Sequence, residues 1–329
     1  MTGFLLGRLL GAAGVVLAMS ALVFLGVYAI GNPVDVLMDP AATQAMREEA
    51  IRRFGLDRPL WEQYLVFLGS VARGDFGSSF VFRIPVLDLI LSRLPATLEL
   101  ATAAMLIATI LGVPLGLWAG YRPDSASGRA INALATLGFS VPTFWVGLLL
   151  ILLFSVELRW LPSGGRGPAD TTVLGMNFSA FSAEGWRHLL LPALNLSLFK
   201  LGLLIRLVRA GTEEVMGGEH VRFARAQGLR EREVVRLHVL KNIGIPVATV
   251  FGLEFGSTLA FAVVTETVFN WPGMGKLIIE SIGSLDRPVM VAYLVLVVLL
   301  FVAINLLVEL TYGLLDPRAR AGGAGGAAA

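Results

Sequence analysis

The sequence predicts an all-α membrane protein. Six transmembrane helices, an external subdomain between helices 1 and 2, and a short cytoplasmic helix between helices 4 and 5 make up the predicted fold. Composition is the first observation: of 329 residues, 56% are hydrophobic and 15% charged, and the mean hydropathy is +0.75, whereas a soluble domain carries about 25% charged residues. The second is a set of six long apolar segments, and the third is one polar segment, 213–241, set between two of them.

The same composition excludes several function classes. The formal net charge of +2 is too small to suggest nucleic acid, and no basic run is interleaved with aromatic residues. The absence of cysteine excludes disulfides, thiolate metal sites and cysteine nucleophiles. The three histidines, His188, His220 and His238, are far apart in sequence and lack ligand spacing, so no metal site is predicted.

Each predicted span satisfies the length that a bilayer requires, roughly 20 apolar residues. The segments are 9–30, 98–121, 131–156, 189–208, 245–269 and 289–315. The first is longer than a signal-peptide core of about 7–15 residues, and no Ala-x-Ala cleavage pattern follows it, so we expect a retained helix.

Lysine and arginine in the short loops set the orientation, because these residues concentrate on the cytoplasmic side. Their distribution predicts that both termini and the polar segment 213–241 are cytoplasmic. The predicted organisation is a first transmembrane helix (1–31), an external subdomain (32–97), a core of five transmembrane helices (98–316) and a cytoplasmic tail (317–329), which is rich in glycine and alanine and expected to be disordered.

Two external regions are predicted in more detail. The subdomain is expected to contain helices near 40–54 and 59–72. The apolar face of the second helix would be formed by Trp61, Tyr64, Phe67 and Leu68, which recur at helical spacing. The other region, 161–186, is rich in glycine, proline and serine and is predicted to be an external loop.

Within the polar segment, glycines bracket a short predicted helix. Gly217 and Gly218 precede residues 219–227, Gly228 follows them, and a second helix is predicted over 229–242. Glycine allows the chain to turn sharply at low steric cost. A short helix of this kind can dock in a groove of another protein, or it can be an amphipathic connector that rests on the lipid headgroups. The spacing alone leaves both interpretations open.

Several short strings in this order resemble one known family. Arg222-Phe223-Ala224 with Gly228 resembles the EAA-type loop of ABC-importer permeases, although Arg222 and Phe223 stand where the general motif has Glu and Ala, and Pro246 lies farther from Gly228. Both departures are similar to the dipeptide/oligopeptide permease subfamily. Further strings resembling that subfamily are LDRPL (56–60), RGDFG (73–77), RLPATLEL (93–100), SVPTFW (140–145), ETVFNWPGMG (266–275) and DPR (316–318).

The resemblance implies the first of two permease subunits of an inner-membrane importer. Its implied partners are a second homologous permease, two ABC ATPase subunits that carry ATP and Mg, an extracytoplasmic binding protein, membrane lipid and a peptide substrate. Nickel chelates, glutathione or another small solute remain alternatives. The residues that it assigns to ATPase coupling are Glu219, Arg222, Phe223, Ala224, Arg225, Ala226 and Gly228.

The chain itself is predicted to be a transport subunit without enzyme activity or a bound cofactor. The string GMGK at 273–276 lacks the GxxxxGK[ST] spacing of a phosphate loop. A stand-alone secondary transporter is a second interpretation, which the missing internal repeat disfavours. A membrane enzyme such as an intramembrane protease is a third, which the lack of paired intramembrane Asp or a Ser/His arrangement disfavours.

Charged residues inside the apolar segments are candidates for function or pairing, because each costs at least ~2.5–3.5 kcal/mol at membrane depth. Lys200 and Glu254 are both predicted near mid-membrane, where they either form a structural pair or face one aqueous pathway. Arg206 and Arg209 are expected to reach the headgroups or to sense ATPase closure. Three acidic residues near span ends, expected to reach water and to be structural, are Glu99, Glu266 and Glu309.

The third span contains the candidate pore-lining residues. Pro142 is predicted to kink the helix, since proline lacks a backbone N–H. Phe144 and Trp145 follow it, and they either pack in the bundle or line a constriction.

Overall fold

The computed structural model describes residues 2–29, 43–53, 57–173 and 175–315. The predicted tail and part of the predicted external subdomain lie outside the described residues. The elements in chain order are α1 (Thr2–Ala29), α2 (Gln44–Arg53), α3 (Leu60–Ala72), α4 (Val86–Tyr121), α5 (Ala126–Ser140), α6 (Thr143–Leu150), a π-helical turn (Ile151–Glu157), β1 (Thr171–Val173), β2 (Met176–Phe178), α7 (Ala183–Gly217), α8 (Glu219–Ala226), α9 (Glu231–Val234), a second π-helical turn (Val235–Val239), α10 (Leu240–Phe261), α11 (Val263–Val268), α12 (Met274–Gly283) and α13 (Arg287–Leu315).

The all-α prediction is therefore confirmed in its coarse form. Among the described residues, four helices are long and apolar enough to cross a membrane: Val86–Tyr121, Ala183–Gly217, Glu231–Phe261 and Arg287–Leu307. The pair Ala126–Gly138 and Thr143–Glu157 gives a fifth if it is counted as one span. In α1 the apolar stretch is Ala13–Gly26, which is shorter than these. Six spans remain a prediction.

The chain forms two compact units. One consists of residues 1–95 with 273–302, and the other of residues 96–272 with the chain after 302.

In the first unit, aromatic side chains join α1 to α3. The ring of Phe24 lies 5.4 Å from that of Tyr64 and 5.7 Å from that of Phe67, measured between centroids. Tyr64 also donates a hydrogen bond of 3.1 Å to the Leu17 carbonyl. The predicted apolar face of α3 is thus confirmed for Tyr64 and Phe67. Trp61 is 66% exposed, so it takes no part in the packing of this face on α1.

Close approach of α4 and α7 organises the second unit. Gly112, Gly116 and Gly120 recur every four residues on α4, and a methyl group at any of them would press on α7. At Gly116, an added Cβ would lie 2.7 Å from the Cβ of Val208 and 2.8 Å from the carbonyl oxygen of Ile205. Only glycine permits this backbone contact.

The third predicted span is not one straight helix. Its two parts are bent by 107°, and Val141 and Pro142, both in extended conformation, separate α5 from α6. Proline cannot donate the backbone hydrogen bond that would continue α5, and it disfavours helical geometry in the residue before it. The predicted kink at Pro142 is confirmed.

Other boundaries required correction. The predicted span 245–269 ends as a continuous helix at Phe261, after which Ala262 interrupts it and α11 follows. The predicted helix 229–242 does not end at 242, because α9, the π-helical turn and α10 follow each other directly and place Pro246 inside α10.

The predicted loop 161–186 also contains regular structure. β1 and β2 pair as an antiparallel hairpin in which Thr172 faces Asn177. The hydroxyl of Ser182 then accepts a hydrogen bond of 2.9 Å from Gly185 N, which starts α7 at Ala183.

Candidate functional site

The short polar helix predicted from the sequence exists as α8, between the ends of α7 and α9. It begins directly after Gly218, one residue beyond the end of α7. Its C-terminal turn closes at Gly228, whose φ of +88° is the left-handed conformation that glycine adopts at low cost. The predicted boundaries of this element are confirmed to within one residue.

The two faces of α8 differ sharply. Val221 and Ala224 are buried, and they pack with Val234 of α9 in one small apolar cluster. Val215 and Met216 at the end of α7 complete this base, together with Leu229. On the other side, the Phe223 side chain is 65% exposed. The phenyl ring of Phe223 is therefore accessible to a partner protein, while the opposite face of α8 is held by the cluster.

Charged groups fix α8 to its surroundings. Arg222 donates to Glu219 within the helix at 2.7 Å. Arg225 binds the Glu231 carboxylate of α9 through two nitrogens, at 2.8 and 3.2 Å, and Tyr121 at the end of α4 donates to the same carboxylate at 3.2 Å. The hydrogen bond to Glu231 raises the pKa of the Arg225 guanidinium. A two-point contact of this kind restricts rotation of α8 as well as its position.

All seven residues that the family resemblance assigned to ATPase coupling lie on α8 or its C-terminal turn, but their exposure differs. Ala224 belongs to the buried base, whereas Glu219, Arg222, Phe223, Arg225, Ala226 and Gly228 are exposed. Sequence reasoning missed Val221, which lies three residues before Ala224 on the same helix face. It also missed Tyr121, which is 110 residues from Glu231 and carries no local signal.

The second candidate site brings Lys200 and Glu254 together. The Lys200 ammonium of α7 donates to the Glu254 carboxylate of α10 and to the Ser257 hydroxyl at 3.0 Å. Ser257 lies 3.1 Å from the same carboxylate. Arg209, which was expected either to reach the headgroups or to sense ATPase closure, pairs with Glu213 at 2.8 Å.

Two of the acidic residues expected to reach water are instead buried. Glu99 accepts hydrogen bonds from backbone and side chain of Ser179, from Ala180 N and from Arg166. Glu266 accepts a hydrogen bond of 2.7 Å from Thr97. The expectation failed because residues distant in sequence cover both carboxylates. The side chain of Glu309 lies outside the described residues.

The candidate pore-lining residues do not gather around one cavity. Phe144 and Trp145 are exposed, while a nearby cavity of about 180 Å³ is lined by Leu137, Gly138, Val141, Thr143, Val146, Asn195 and Leu198. Asn195 donates to Thr265 at 3.1 Å, and its Oδ1 has no hydrogen-bond partner among the described residues. Apart from Asn195 and Thr143 the lining is apolar, so the cavity has the character of a packing space beside the break at Pro142.

Comparison with known proteins decides the family. Residues 112–321 match the family model described as "Binding-protein-dependent transport system inner membrane component", and residues 1–101 match the model of the corresponding N-terminal region. The chain belongs to this family. It is a multi-pass inner-membrane permease subunit of the ABC transporter class. The resemblance to ABC-importer permeases that the sequence motifs indicated is confirmed.

Curated relatives cover almost the whole permease chain. It is 41% identical to the di/tripeptide transport system permease protein DppB of Pseudomonas aeruginosa over 88% of this chain and 90% of the relative. It is 37% identical to the oligopeptide transport system permease protein AppB of Bacillus subtilis, over 97% of this chain and 99% of the relative. The glutathione transport system permease protein GsiC of Escherichia coli O1:K1 is also 37% identical, over the same shares of both chains.

A solved structure supports the fold. The chain resembles a chain in inward-facing conformations of the MetNI methionine ABC transporter with a TM-score of 0.55 and 16% identity, over 69% of this permease and 96% of that chain. At this identity the likeness concerns the fold alone.

Proposed function

We propose that this chain is the transmembrane permease subunit of an ATP-driven importer for dipeptides or oligopeptides, and that α8 is the site at which an ATPase subunit docks. The observation that carries the proposal is the exposed Phe223 on a short helix whose other face is fixed by Val221 and Ala224. Family membership supplies the transporter class. The geometry of α8 supports its assignment as the contact through which an ATPase subunit would move this chain.

The connections of α8 suit this role. One residue separates it from α7, and the Arg225–Glu231 pair ties it to α9. A partner that grips Phe223 would therefore displace the ends of two membrane helices instead of a flexible loop. Coupling of this kind requires two arrangements of the bundle with different affinity for the partner.

The remaining parts of the proposal complete the assembly. Six spans would cross the inner membrane with both termini in the cytoplasm, and a second homologous permease would complete the pathway. Two ATPase subunits would hold ATP and Mg, and this chain would bind neither. A substrate-binding protein would deliver the solute at the external face, where the segments 32–97 and 161–186 are expected.

Peptide is the proposed substrate because two relatives with 37–41% identity are named for di/tripeptides and oligopeptides. The runner-up class is nickel chelates, glutathione or another small solute, and one of the relatives described above, also 37% identical, is named for glutathione. Uptake assays with di-, tri- and pentapeptides would determine which peptide length the transporter prefers.

The test uses two matched substitutions of exposed phenylalanines. Phe223→Asp places a charge on α8, and Phe181→Asp makes the same change at a side chain of nearly equal exposure, 67% against 65%, outside the docking helix. Tagged chain would be purified from gently solubilised membranes, and co-purifying ATPases and ATP turnover would be measured. We expect loss of ATPase recovery for Phe223→Asp and retention for Phe181→Asp.

Other outcomes would change the interpretation. Equal ATPase recovery with both variants would remove α8 as the docking site. Recovery of the wild-type chain alone, without ATP turnover but with ion-driven flux, would favour the stand-alone secondary transporter.

A further inference from the structure

The ion pair between α7 and α10 involves the middle residue of a helix that is long and apolar enough to cross a membrane. Lys200 is the middle residue of α7, which runs from Ala183 to Gly217. At 1.5 Å per residue, about 26 Å of helix extends on either side of it, so Lys200 lies far from both helix ends. Its ammonium reaches Glu254 and Ser257 of α10, and both helices are long and apolar enough to span the membrane.

One side of this pair is open at the surface of the chain. The side chains of Lys200 and Glu254 are 12% and 24% exposed, and the adjoining Phe199 ring, 5.4 Å from the ammonium, is exposed as well. Lipid tails cannot cover a charged group at this depth without a cost of at least ~2.5–3.5 kcal/mol. The open side of the pair therefore faces water or another protein.

The hydrogen bonds of the pair favour water. An ammonium has three donors, and within the described part of the chain Lys200 Nζ donates to two groups, Glu254 and Ser257. The buried Glu99 in the same unit is different, because protein donors serve both of its oxygens and its side chain is only 2% exposed. An apolar protein surface over the pair would leave Lys200 with an unmet donor, whereas water or a polar solute would satisfy it.

We propose that Lys200 and Glu254 line the solute pathway of the assembled transporter and bind the charged termini of a passing zwitterionic peptide. The peptide carboxylate would pair with Lys200 and the peptide ammonium with Glu254, so that each charge keeps a counter-charge while the solute crosses mid-membrane. The contacts with the peptide termini rest on the proposed function, because they require a peptide substrate. The inference that the pair faces water does not depend on the substrate and rests on the contacts and exposure of Lys200 and Glu254.

The absence of cysteine from the chain gives a direct test of aqueous access. In the full transporter reconstituted in liposomes, Ser257→Cys would place a unique thiol in this chain beside the pair. Ile110→Cys on α4 is the control, since Ile110 is 66% exposed and lies two residues before Gly112, which faces α7, so it is on the opposite face of α4. A membrane-impermeant, negatively charged methanethiosulfonate would be added to both sides, and modification of this chain would be followed by mass spectrometry.

We expect Ser257→Cys to react at least about tenfold faster than Ile110→Cys, in the nucleotide-free state or in the vanadate-trapped state. Equal rates, or no reaction at Ser257→Cys in both states, would overturn the pathway assignment and leave a structural ion pair. This arm keeps Lys200 and Glu254 intact, so it does not depend on the tolerance of the fold to loss of the pair.

The contact with substrate is tested by neutralising both charges together, because a single substitution would leave an unpaired charge. With Ala-Ala as the probe, Lys200→Met combined with Glu254→Gln should lower the number of peptides moved per ATP hydrolysed about tenfold. An unchanged ratio would overturn the substrate contact.

The two levels of inference fail in different ways. If the wild-type complex takes up no Ala-Ala although Ser257→Cys is labelled, the peptide assignment and the terminus contacts fail while the aqueous lining stands. If uptake is normal and Ser257→Cys is not labelled, the pathway inference alone fails.

Discussion

The buried carboxylate of Glu99 permits a sharp test of the fold, by the substitution Glu99→Gln. Its Oε1 accepts from the backbone N–H groups of Ser179 and, at 3.0 Å, Ala180. Its Oε2 accepts from the Ser179 hydroxyl and from Arg166 Nε, both at 2.9 Å. Each oxygen is therefore surrounded by donors, and each donor belongs to the segment between α6 and α7.

Glutamine has the same shape but carries one NH2 group, which only donates. At the Oε1 position the amide NH2 would face two backbone N–H donors. At the Oε2 position it would face the Arg166 guanidinium, while the Ser179 hydroxyl can turn to accept from it. At least one hydrogen bond and the charge opposite Arg166 are therefore lost. Removing one partner of a buried ion pair costs about 3–5 kcal/mol, which is the loss we expect for the substitution.

The assay is the free energy of unfolding in mixed micelles, measured by titration with sodium dodecyl sulfate. Glu62→Gln is the control, because Glu62 forms an exposed ion pair with Arg58 at 3.1 Å, and such pairs contribute about 0–1 kcal/mol. If Glu99→Gln lowered the stability by no more than Glu62→Gln does, the network around Glu99 would not exist as described.

Two further substitutions test packing in the same unit. Gly116→Ala forces a methyl group against the backbone of α7 and should lower the free energy of unfolding by about 1–3 kcal/mol. The control is Gly244→Ala, whose methyl group meets open space and should be neutral or stabilising by up to about 1 kcal/mol. Equal effects of the two substitutions would refute the close approach of α4 and α7. Trp271→Phe removes a buried hydrogen bond of 2.8 Å to the Ala96 carbonyl and should cost at least about 1 kcal/mol, while Trp61→Phe, at an exposed position, should cost nearly nothing in the same titration.

Hydropathy predicted the long helices because membrane burial is a one-dimensional property of the sequence. Their ends were harder to predict, since the end of an apolar run is not the end of a helix. α4 begins at Val86, before the apolar run at 98, and Asp88 in its first turn is favourable to the helix dipole. The two helix interruptions were not equally predictable. The proline at 142 predicts the first, whereas no residue type around Ala262 predicts the second.

The candidate sites were predictable to unequal degrees. α8 was recognised because glycines and polar residues mark it between apolar segments, and opposite charges at similar depth predicted that Lys200 and Glu254 could pair. The burial of Glu99 was not predictable, because Arg166 and Ser179 lie 67 and 80 residues away on a segment that the composition described only as a loop. A polar residue near the end of a span thus has an environment that depends on tertiary structure.

The short helix α8 and the ion pair are connected through α7. Val215 and Met216 at the C-terminal end of α7 pack on the base of α8, and Lys200 is the middle residue of α7. Close contacts at Gly116 and Gly120 hold α4 against the stretch between these points, so this part of α7 has little freedom to bend independently of α4. If α8 is the docking site proposed above, its displacement would therefore carry α7 and α4 together. The relation of Lys200 to Glu254 on α10 would then change with the nucleotide state, which is why labelling at Ser257 is to be compared in both states.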